Sequence, residues 1–290
     1  MKKTVMKIKA QAGVLGYPIA HSLSPQLHGF WLKKHHIAAD YKAYEVAPEK
    51  LADFLKSLAQ KDFRGVNLTI PHKEAALEIL DTVDDLARRI GAVNTVVVEQ
   101  DGTLRGMNTD AYGFITNLKE KAPKWQAKEG PAALFGAGGA ARALIVGLLD
   151  AGVEEIYLLN RTFERAQKLG QILADKRIKP LPWDQRNDIL AHVNLLVNST
   201  SQGMRGHEAL DINLDLLSTQ AVVSDIVYNP LETPLLKAAR RRGNPVVDGL
   251  GMLLHQAVPA FEAWFGLRPQ VDLALYQHME DILRGKQHHD

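Results

Sequence analysis

Apolar and polar positions run along the chain in two rhythms. In the first third, short apolar runs alternate with stretches of helical period. Residues 12–17 (AGVLGY) read as a strand. Ser24-Pro25 then offers a cap with proline at the first helical position, and Leu27, Phe30 and Trp31 share one helical face. YKAYEV (41–46) is the next strand. After Pro48, the residues Leu51, Phe54, Leu55 and Leu58 follow the i, i+3, i+4, i+7 spacing of an amphipathic helix. GVNLTI (65–70) is a third strand, stopped by Pro71. TVVVEQ and TLRGMN flank Asp101-Gly102, which signals a two-residue hairpin.

From residue 132 the rhythm changes. AALF (132–135), EIYLLN (155–160), NLLVNST (194–200), AVVSDIVY (221–228) and NPVVDG (244–249) are unalternated apolar runs, separated by stretches long enough for helical crossovers. Strands of this kind are buried on both faces of a parallel sheet. The polar, proline-bearing stretch 119–131 marks a boundary, and helical patterns at 253–265 and 271–283 close the chain. The expected fold is two α/β domains: an N-terminal one over 1–112, a doubly wound parallel sheet of Rossmann type over 113–249, and C-terminal helices over 250–290 that return to the first.

A chain of 290 residues has room for two such domains, and its 46% hydrophobic and 23% charged residues are ordinary for a globular protein. A charge balance of 35 − 33 = +2 gives no field to recruit nucleic acid or an anionic membrane. No segment reaches the roughly 18 uninterrupted apolar residues of a membrane span. The basic N-terminus lacks an apolar core because Lys7 and Lys9 interrupt it, so the expected location is cytoplasmic. With no cysteine, disulfides, thiolate zinc sites and thiol catalysis are excluded. No H-E-x-x-H or carboxylate cluster indicates a metal, and His288-His289 has no ligand spacing.

Chemistry is concentrated in three places. Gly136-Ala137-Gly138-Gly139-Ala140-Ala141 fits G-x-G-x-x-A between an apolar strand and a helical run. The first glycine permits the tight turn, the second lets backbone approach a pyrophosphate, and the small third position lets the helix lie close to its strand. About 20 residues on, where an NAD site carries an acid for the ribose hydroxyls, stand Asn160-Arg161-Thr162 and then Arg165. Two guanidinium groups suit the 2′-phosphate of NADP. The plain alternative is a solvated helix start capped by Thr162. Lys73 directly follows a strand, and Asp110 lies where the first domain ends; together they are candidates for acid–base work. Asn67, Thr69, Asn94 and Asn108 sit at strand ends as uncharged hydrogen-bonding groups, with Ser22 and Ser24 available to join them. Ser24 has the alternative of capping its helix. Such a set suits a polyhydroxylated ligand.

SLSP (22–25), NLTIPHK (67–73), GAVNT (91–95), NTDAYGF (108–114), FGAGGAARA (135–143), NRTFER (160–165), NSTSQGM (198–204), DIVYNP (225–230) and DGLGMLLHQA (248–257) resemble, in order, the signature segments of the shikimate dehydrogenase family. The resemblance spans nearly the whole chain. It implies two α/β domains around a cleft and NADPH-dependent reduction of 3-dehydroshikimate to shikimate in aromatic amino-acid biosynthesis. Carried over position by position, it implies that Lys73 and Asp110 are the catalytic pair. Shikimate would be held by Ser22, Ser24, Thr69, Lys73, Asn94, Asp110, Tyr228 and Gln256. The cofactor would meet Gly136, Ala137, Gly138, Gly139, Ala140, Asn160, Arg161, Thr162, Arg165, Thr200, Met204, Ile226, Gly249 and Met252. Asp85 matches a further cofactor position whose chemical role the resemblance does not explain. Two positions depart from the pattern: His255 replaces a commonly acidic residue, and Ile226 a frequent methionine.

The nearest rival is a quinate/shikimate dehydrogenase with relaxed substrate or cofactor use. More remote are a methylenetetrahydrofolate dehydrogenase, against which Tyr228, Gln256 and NLTIPHK speak, and a non-catalytic NADP(H)-sensing protein, which has no need of Lys73 and Asp110. A monomer and a homodimer are both compatible with the sequence.

Overall fold

The computed structural model describes residues 10–285; the basic N-terminal segment and the His288-His289 pair lie outside the described residues. The chain divides into two compact units, one running to Thr109 and including Ala257–Leu275, the other comprising Asp110–Gln256 and the residues from Tyr276 on.

The first unit contains β1 (Ala10–Gly16), α1 (Ser24–Lys34), β2 (Ala39–Glu45), α2 (Leu51–Lys56), β3 (Phe63–Leu68), α3 (His72–Ala75), β4 (Thr82–Val83), α4 (Asp85–Ile90), β5 (Thr95–Val98) and β6 (Leu104–Met107). Its six strands form one sheet in the order β2-β1-β3-β5-β6-β4. β2, β1 and β3 are parallel, whereas β5 runs antiparallel to both β3 and β6. The β5–β6 hairpin has a longer turn than Asp101-Gly102 suggests. Asp101 Oδ1 accepts from the Thr103 amide at 3.0 Å and the Thr103 hydroxyl at 2.7 Å, and Gly102 takes φ +87°, so the turn closes between Glu99 and Thr103.

α1 packs a histidine into this unit's aromatic core. His28 is fully buried, stacked on Tyr41 at 4.1 Å between ring centroids, with Phe261 at 6.0 Å and Trp264 at 5.5 Å. Neither ring nitrogen meets a hydrogen-bond partner of acceptable geometry, although Asn67 lies near enough to oppose part of the effect of burial, which lowers the His28 pKa to about 3. An unfolded chain takes up this proton below about pH 6.5. The native chain does so only near pH 3, so stability falls as pH drops through that window. His28→Phe keeps the stacking and removes the titration. Between pH 7.5 and 5 the unaltered protein should lose about 2 kcal/mol more than the variant in urea unfolding. Equal losses would show that His28 does not titrate this way.

The second unit contains α5 (Asp110–Lys121), β7 (Ala132–Phe135), α6 (Gly139–Ala151), β8 (Ile156–Leu159), α7 (Phe163–Leu173), β9 (Ile178–Leu181), β10 (Leu195–Asn198), β11 (Val222–Asp225), α8 (Pro234–Arg241) and β12 (Val246–Val247). Two further helices, α9 (Gly249–Phe265) and α10 (Leu273–Gly285), each contribute residues to both units. All six strands are parallel, in the order β12-β11-β10-β7-β8-β9. The unalternated pattern is explained by two cores: Ala132 and Leu134 of β7 enter one, Ala133 and Phe135 the other. β9 gave no sequence signal, since IKPL is short, carries Pro180 and occupies the sheet edge, where proline is tolerated.

Two expected boundaries move. The first unit ends at Thr109 rather than 112, because α5 is one helix that begins at Asp110. The segment 250–290 does not return to the first unit as a whole. Within that unit, the later turns of α9 bury Phe261 and Trp264 against His28, and Trp264 Nε1 donates to Val96 O at 2.9 Å. The earlier turns pack on α5 within the second unit. Among the described residues no helix is long and apolar enough to cross a membrane.

Candidate active site

In the first unit the candidate residues gather where β1 and β3 end. The Thr69 amide donates to Leu15 O at 2.9 Å and the Tyr17 amide to Ile70 O at 3.1 Å, so the loops following the two strands lie side by side. One carries Ser22 and Ser24, the other Thr69 and Lys73. Ser24 is not a cap: Leu23 holds that position and Ser24 is the first helical residue, while Ser22 Oγ accepts from the Ser24 amide at 3.3 Å. The hydroxyl of Ser24 is thereby released from the duty that its sequence context suggests. Lys73 lies in the single turn of α3, and its carbonyl accepts from the Val93 amide at 2.8 Å. That bond docks the lysine's turn beside Asn94, which follows Val93 in the chain.

Asn94 is buried and held on several sides. Its Oδ1 accepts from the Thr109 amide at 2.9 Å and its Nδ2 donates to Thr109 Oγ1 at 2.9 Å. Behind it, Asn67 Nδ2 donates to Asn94 O at 3.2 Å and to Thr95 Oγ1 at 3.1 Å, while the Tyr41 hydroxyl donates to Asn67 Oδ1 at 2.7 Å. Asn108 donates to Ala92 O at 2.9 Å. Asn67 and Asn108 are therefore scaffold for the loops, and the Tyr41–Asn67 link had no sequence signature. Asp85 is exposed in the first turn of α4, whose cap is its neighbour Asp84, accepting from the Ala87 amide at 2.6 Å.

In the second unit the glycine turn joins β7 to α6. Gly136 takes φ +110°, and a Cβ there would lie 2.7 Å from Ser199 Oγ, so only glycine fits. Gly138 stands at the cap of α6 with no side-chain cap, and neither Gly138 nor Gly139 has an atom within 4 Å of where a Cβ would sit. Open space therefore lies beside Gly138 and Gly139 at the positive end of a helix dipole, with Ala137 and Ala140 flanking them. This cradle fits a pyrophosphate. Asn160, at the tip of β8, ties the turn to the next loop: its Oδ1 accepts from the Ala137 amide at 3.2 Å and its Nδ2 donates to Thr162 O at 2.8 Å. Thr162 occupies the cap position of α7 without capping through its side chain, and Arg161 and Arg165 are both exposed.

The loops after β10 and β11 hold the remaining candidates and share one anchor. Asp225, at the end of β11, accepts from Thr233 Oγ1 at 2.7 Å, the Val227 amide at 3.0 Å and Asn198 Nδ2 at 3.1 Å. Asn198 in turn accepts from the Thr200 amide at 3.1 Å and hydroxyl at 2.7 Å. A single carboxylate therefore ties the loop of Thr200 and Met204 to that of Ile226 and Tyr228. Burial pushes the Asp225 pKa up to about 6, against those three hydrogen bonds. Burial also raises the pKa of Tyr228. Nothing in the sequence pattern distinguished Asp225 from an ordinary strand-end acid. Gly249 opens α9 so close to Ile226 that a Cβ would collide with its carbonyl. Met252 and Gln256 follow on the same helix, Met252 buried and Gln256 half-buried. Asp110, the first residue of α5, is 5% exposed.

A parallel sheet in the Rossmann order, with this glycine cradle, joined to a mixed-sheet unit that presents a lysine among hydroxyl and amide groups, defines a two-unit α/β oxidoreductase of the dinucleotide-binding class. Three family models match in chain order: a shikimate dehydrogenase substrate binding domain at residues 14–96, shikimate / quinate 5-dehydrogenase at 118–210, and a shikimate 5′-dehydrogenase C-terminal domain at 249–275. The chain belongs to the shikimate dehydrogenase family. It is 56% identical over 260 residues to the shikimate dehydrogenase (NADP(+)) of Paramagnetospirillum magneticum, covering 90% of this chain and 94% of that protein. Among solved structures, shikimate 5-dehydrogenase from Thermus thermophilus in complex with NADP(H) and shikimate matches with TM-score 0.81 and 40% identity, covering 95% of this chain and 99% of that one. Quinate dehydrogenase from Corynebacterium glutamicum in complex with NAD matches with TM-score 0.86 and 31% identity over the same shares.

Proposed function

We propose that this chain catalyses the reversible NADPH-dependent reduction of 3-dehydroshikimate to shikimate, as a cytoplasmic enzyme of chorismate and aromatic amino-acid biosynthesis. The first unit is the substrate domain and the second the NADP domain. The observation that carries this reading is the bond from the Val93 amide to the Lys73 carbonyl, which seats a lysine beside the buried Asn94 although the two are far apart in sequence. The pairing supplies a proton donor and a directional partner for a hydroxyl at one place, as reduction of a polyhydroxylated ketone requires.

NADPH, when bound, supplies the hydride. Gly136 to Ala140 hold its pyrophosphate, Asn160, Arg161, Thr162 and Arg165 its adenosine ribose phosphate, and Thr200, Met204, Ile226, Gly249 and Met252 its remaining surface. Ser22, Ser24, Thr69, Asn94, Tyr228 and Gln256 orient the substrate's hydroxyls and carboxylate. The Lys73 ammonium stabilises the negative charge that develops on the carbonyl oxygen and then gives that oxygen its proton. Asp110 accepts a hydrogen bond from a substrate hydroxyl. In the reverse direction the Lys73 amine takes the proton back.

The likeness to a quinate dehydrogenase supplies the second reading, relaxed use of quinate or NAD. The test offers shikimate and quinate in turn, each with NADP and with NAD, and follows absorbance of the reduced nicotinamide. Turnover confined to shikimate with NADP is expected. Equal turnover of quinate, or of NAD, would replace the proposal with the second reading.

A further inference from the structure

Asp110 and Gln256 lie on two helices that meet in an unusually close seam within the second unit. Asp110, Gly113, Asn117 and Glu120 follow one another at i, i+3, i+7 and i+10, which places them along one face of α5. The first turns of α9 lie against that face. At Gly113 the approach is backbone to backbone: an added Cβ would stand 2.6 Å from Gln256 Cβ, 2.7 Å from the Gln256 amide nitrogen and 2.8 Å from Met252 O. One turn on, Asn117 Nδ2 donates to Asp248 O at 2.8 Å, and a Cβ on Gly251 would collide with Asn117 Oδ1. At the next turn His255 Nε2 lies 2.8 Å from Glu120 Oε2. Three contacts on three successive turns leave α9 little freedom to slide or roll along α5.

The last contact joins a ring on one helix to a carboxylate on the other, His255 on α9 and Glu120 on α5. His255 is 7% exposed and immediately precedes Gln256. Burial lowers the His255 pKa, and Glu120, at hydrogen-bond distance, opposes the shift.

We propose that Gly113 and the His255–Glu120 pair are positioning residues, which fix Gln256 relative to Asp110 and thereby set how well the site grips its substrate. The inference rests on the proposed function, in which Asp110 and Gln256 both touch shikimate. Its physical basis is that a displacement of about 1 Å between groups sharing one ligand costs up to about 10²-fold.

The test uses the full chain and three variants: Gly113→Ala, Glu120→Ala and Glu120→Gln. Steady-state kinetics give KM and kcat for shikimate, and calorimetry gives the affinity for 2′,5′-adenosine diphosphate, which engages only the adenosine side. Gly113→Ala should raise the shikimate KM by at least about 10-fold, with 2′,5′-adenosine diphosphate bound as in the unaltered protein. Glu120→Ala should raise the same KM, and Glu120→Gln, whose amide oxygen still accepts from Nε2–H, should recover most of the loss. An unchanged shikimate KM in Gly113→Ala would overturn the proposal. So would a parallel loss of adenosine-side binding, which indicates general loosening, and so would a glutamine variant no better than alanine. If Gly113→Ala does not fold, the two Glu120 variants decide alone. An unaltered protein inactive with shikimate and NADP would overturn the function beneath the proposal as well, whereas an active one with indifferent variants would overturn the positioning alone.

Discussion

Lys73→Ala is expected to lower turnover by about 10²–10⁴-fold, the usual scale for a general acid–base group, while NADPH is still bound. The separation follows from where the lysine sits. Its turn is docked by its backbone, through the Val93 amide, and that bond survives truncation of the side chain. The side chain is half-exposed and stands outside the apolar core of its unit. Asn94 keeps its bonds to Thr109, and the glycine cradle belongs to the other unit. Lys73→Arg sharpens the test. Guanidinium retains the positive charge but does not give up a proton near neutral pH, so an electrostatic role alone would be largely preserved in arginine and proton transfer would not. Loss in both variants supports a proton donor, and recovery in arginine supports charge stabilisation. Near-normal turnover of Lys73→Ala would remove Lys73 from the chemistry altogether.

What could be read from the sequence, and what could not, divides along the range of the interactions involved. The buried strands of the second unit were legible because a parallel sheet covered on both faces demands unbroken apolar runs, as Ala132 to Phe135 show by feeding two cores in alternation. The glycine turn was legible because its constraints are local: a left-handed φ at Gly136 and space beside Gly138 are properties of a few consecutive residues. Edge strand β9 escaped because an edge relaxes the rules against proline. Ser24 was open to misreading as a cap because proline at the second helical position looks, in sequence, like proline at the first. The anchors of the site escaped for a different reason. Asp225 reaches Thr233 and Asn198, Tyr41 reaches Asn67, and Glu120 reaches His255, and no local period links such pairs. The candidate groups stand in single motifs, whereas the groups that hold them in place were visible only once the chain was folded.

Replacing both Arg161 and Arg165 by alanine should weaken NADPH by about 10²-fold and leave NADH within a small factor of its starting value. The argument begins with what is missing: the tip of β8 carries Asn160 where an NAD site carries an acid. An acid there would accept from the ribose hydroxyls and repel a phosphate. Asn160 is instead engaged with the Ala137 amide and Thr162 O, holding the glycine turn and the start of α7 together. The arginines flank that start, and both are exposed, so the free protein loses no buried contact when they are removed. A hydrogen bond to a charged group contributes about 1.5–3 kcal/mol, and exposure places these two at the lower end. Two such contacts come to about 3 kcal/mol, or roughly 10²-fold in affinity, all of it directed at the 2′-phosphate. The decisive quantity is the ratio of kcat/KM for NADPH to that for NADH, which the substitution should collapse toward unity. A single substitution should move the ratio about half as far on a logarithmic scale if the two guanidinium groups act independently. Equal losses with both cofactors would mean that the arginines serve α7 or the fold rather than the phosphate. The selectivity would then have to arise elsewhere in the second unit.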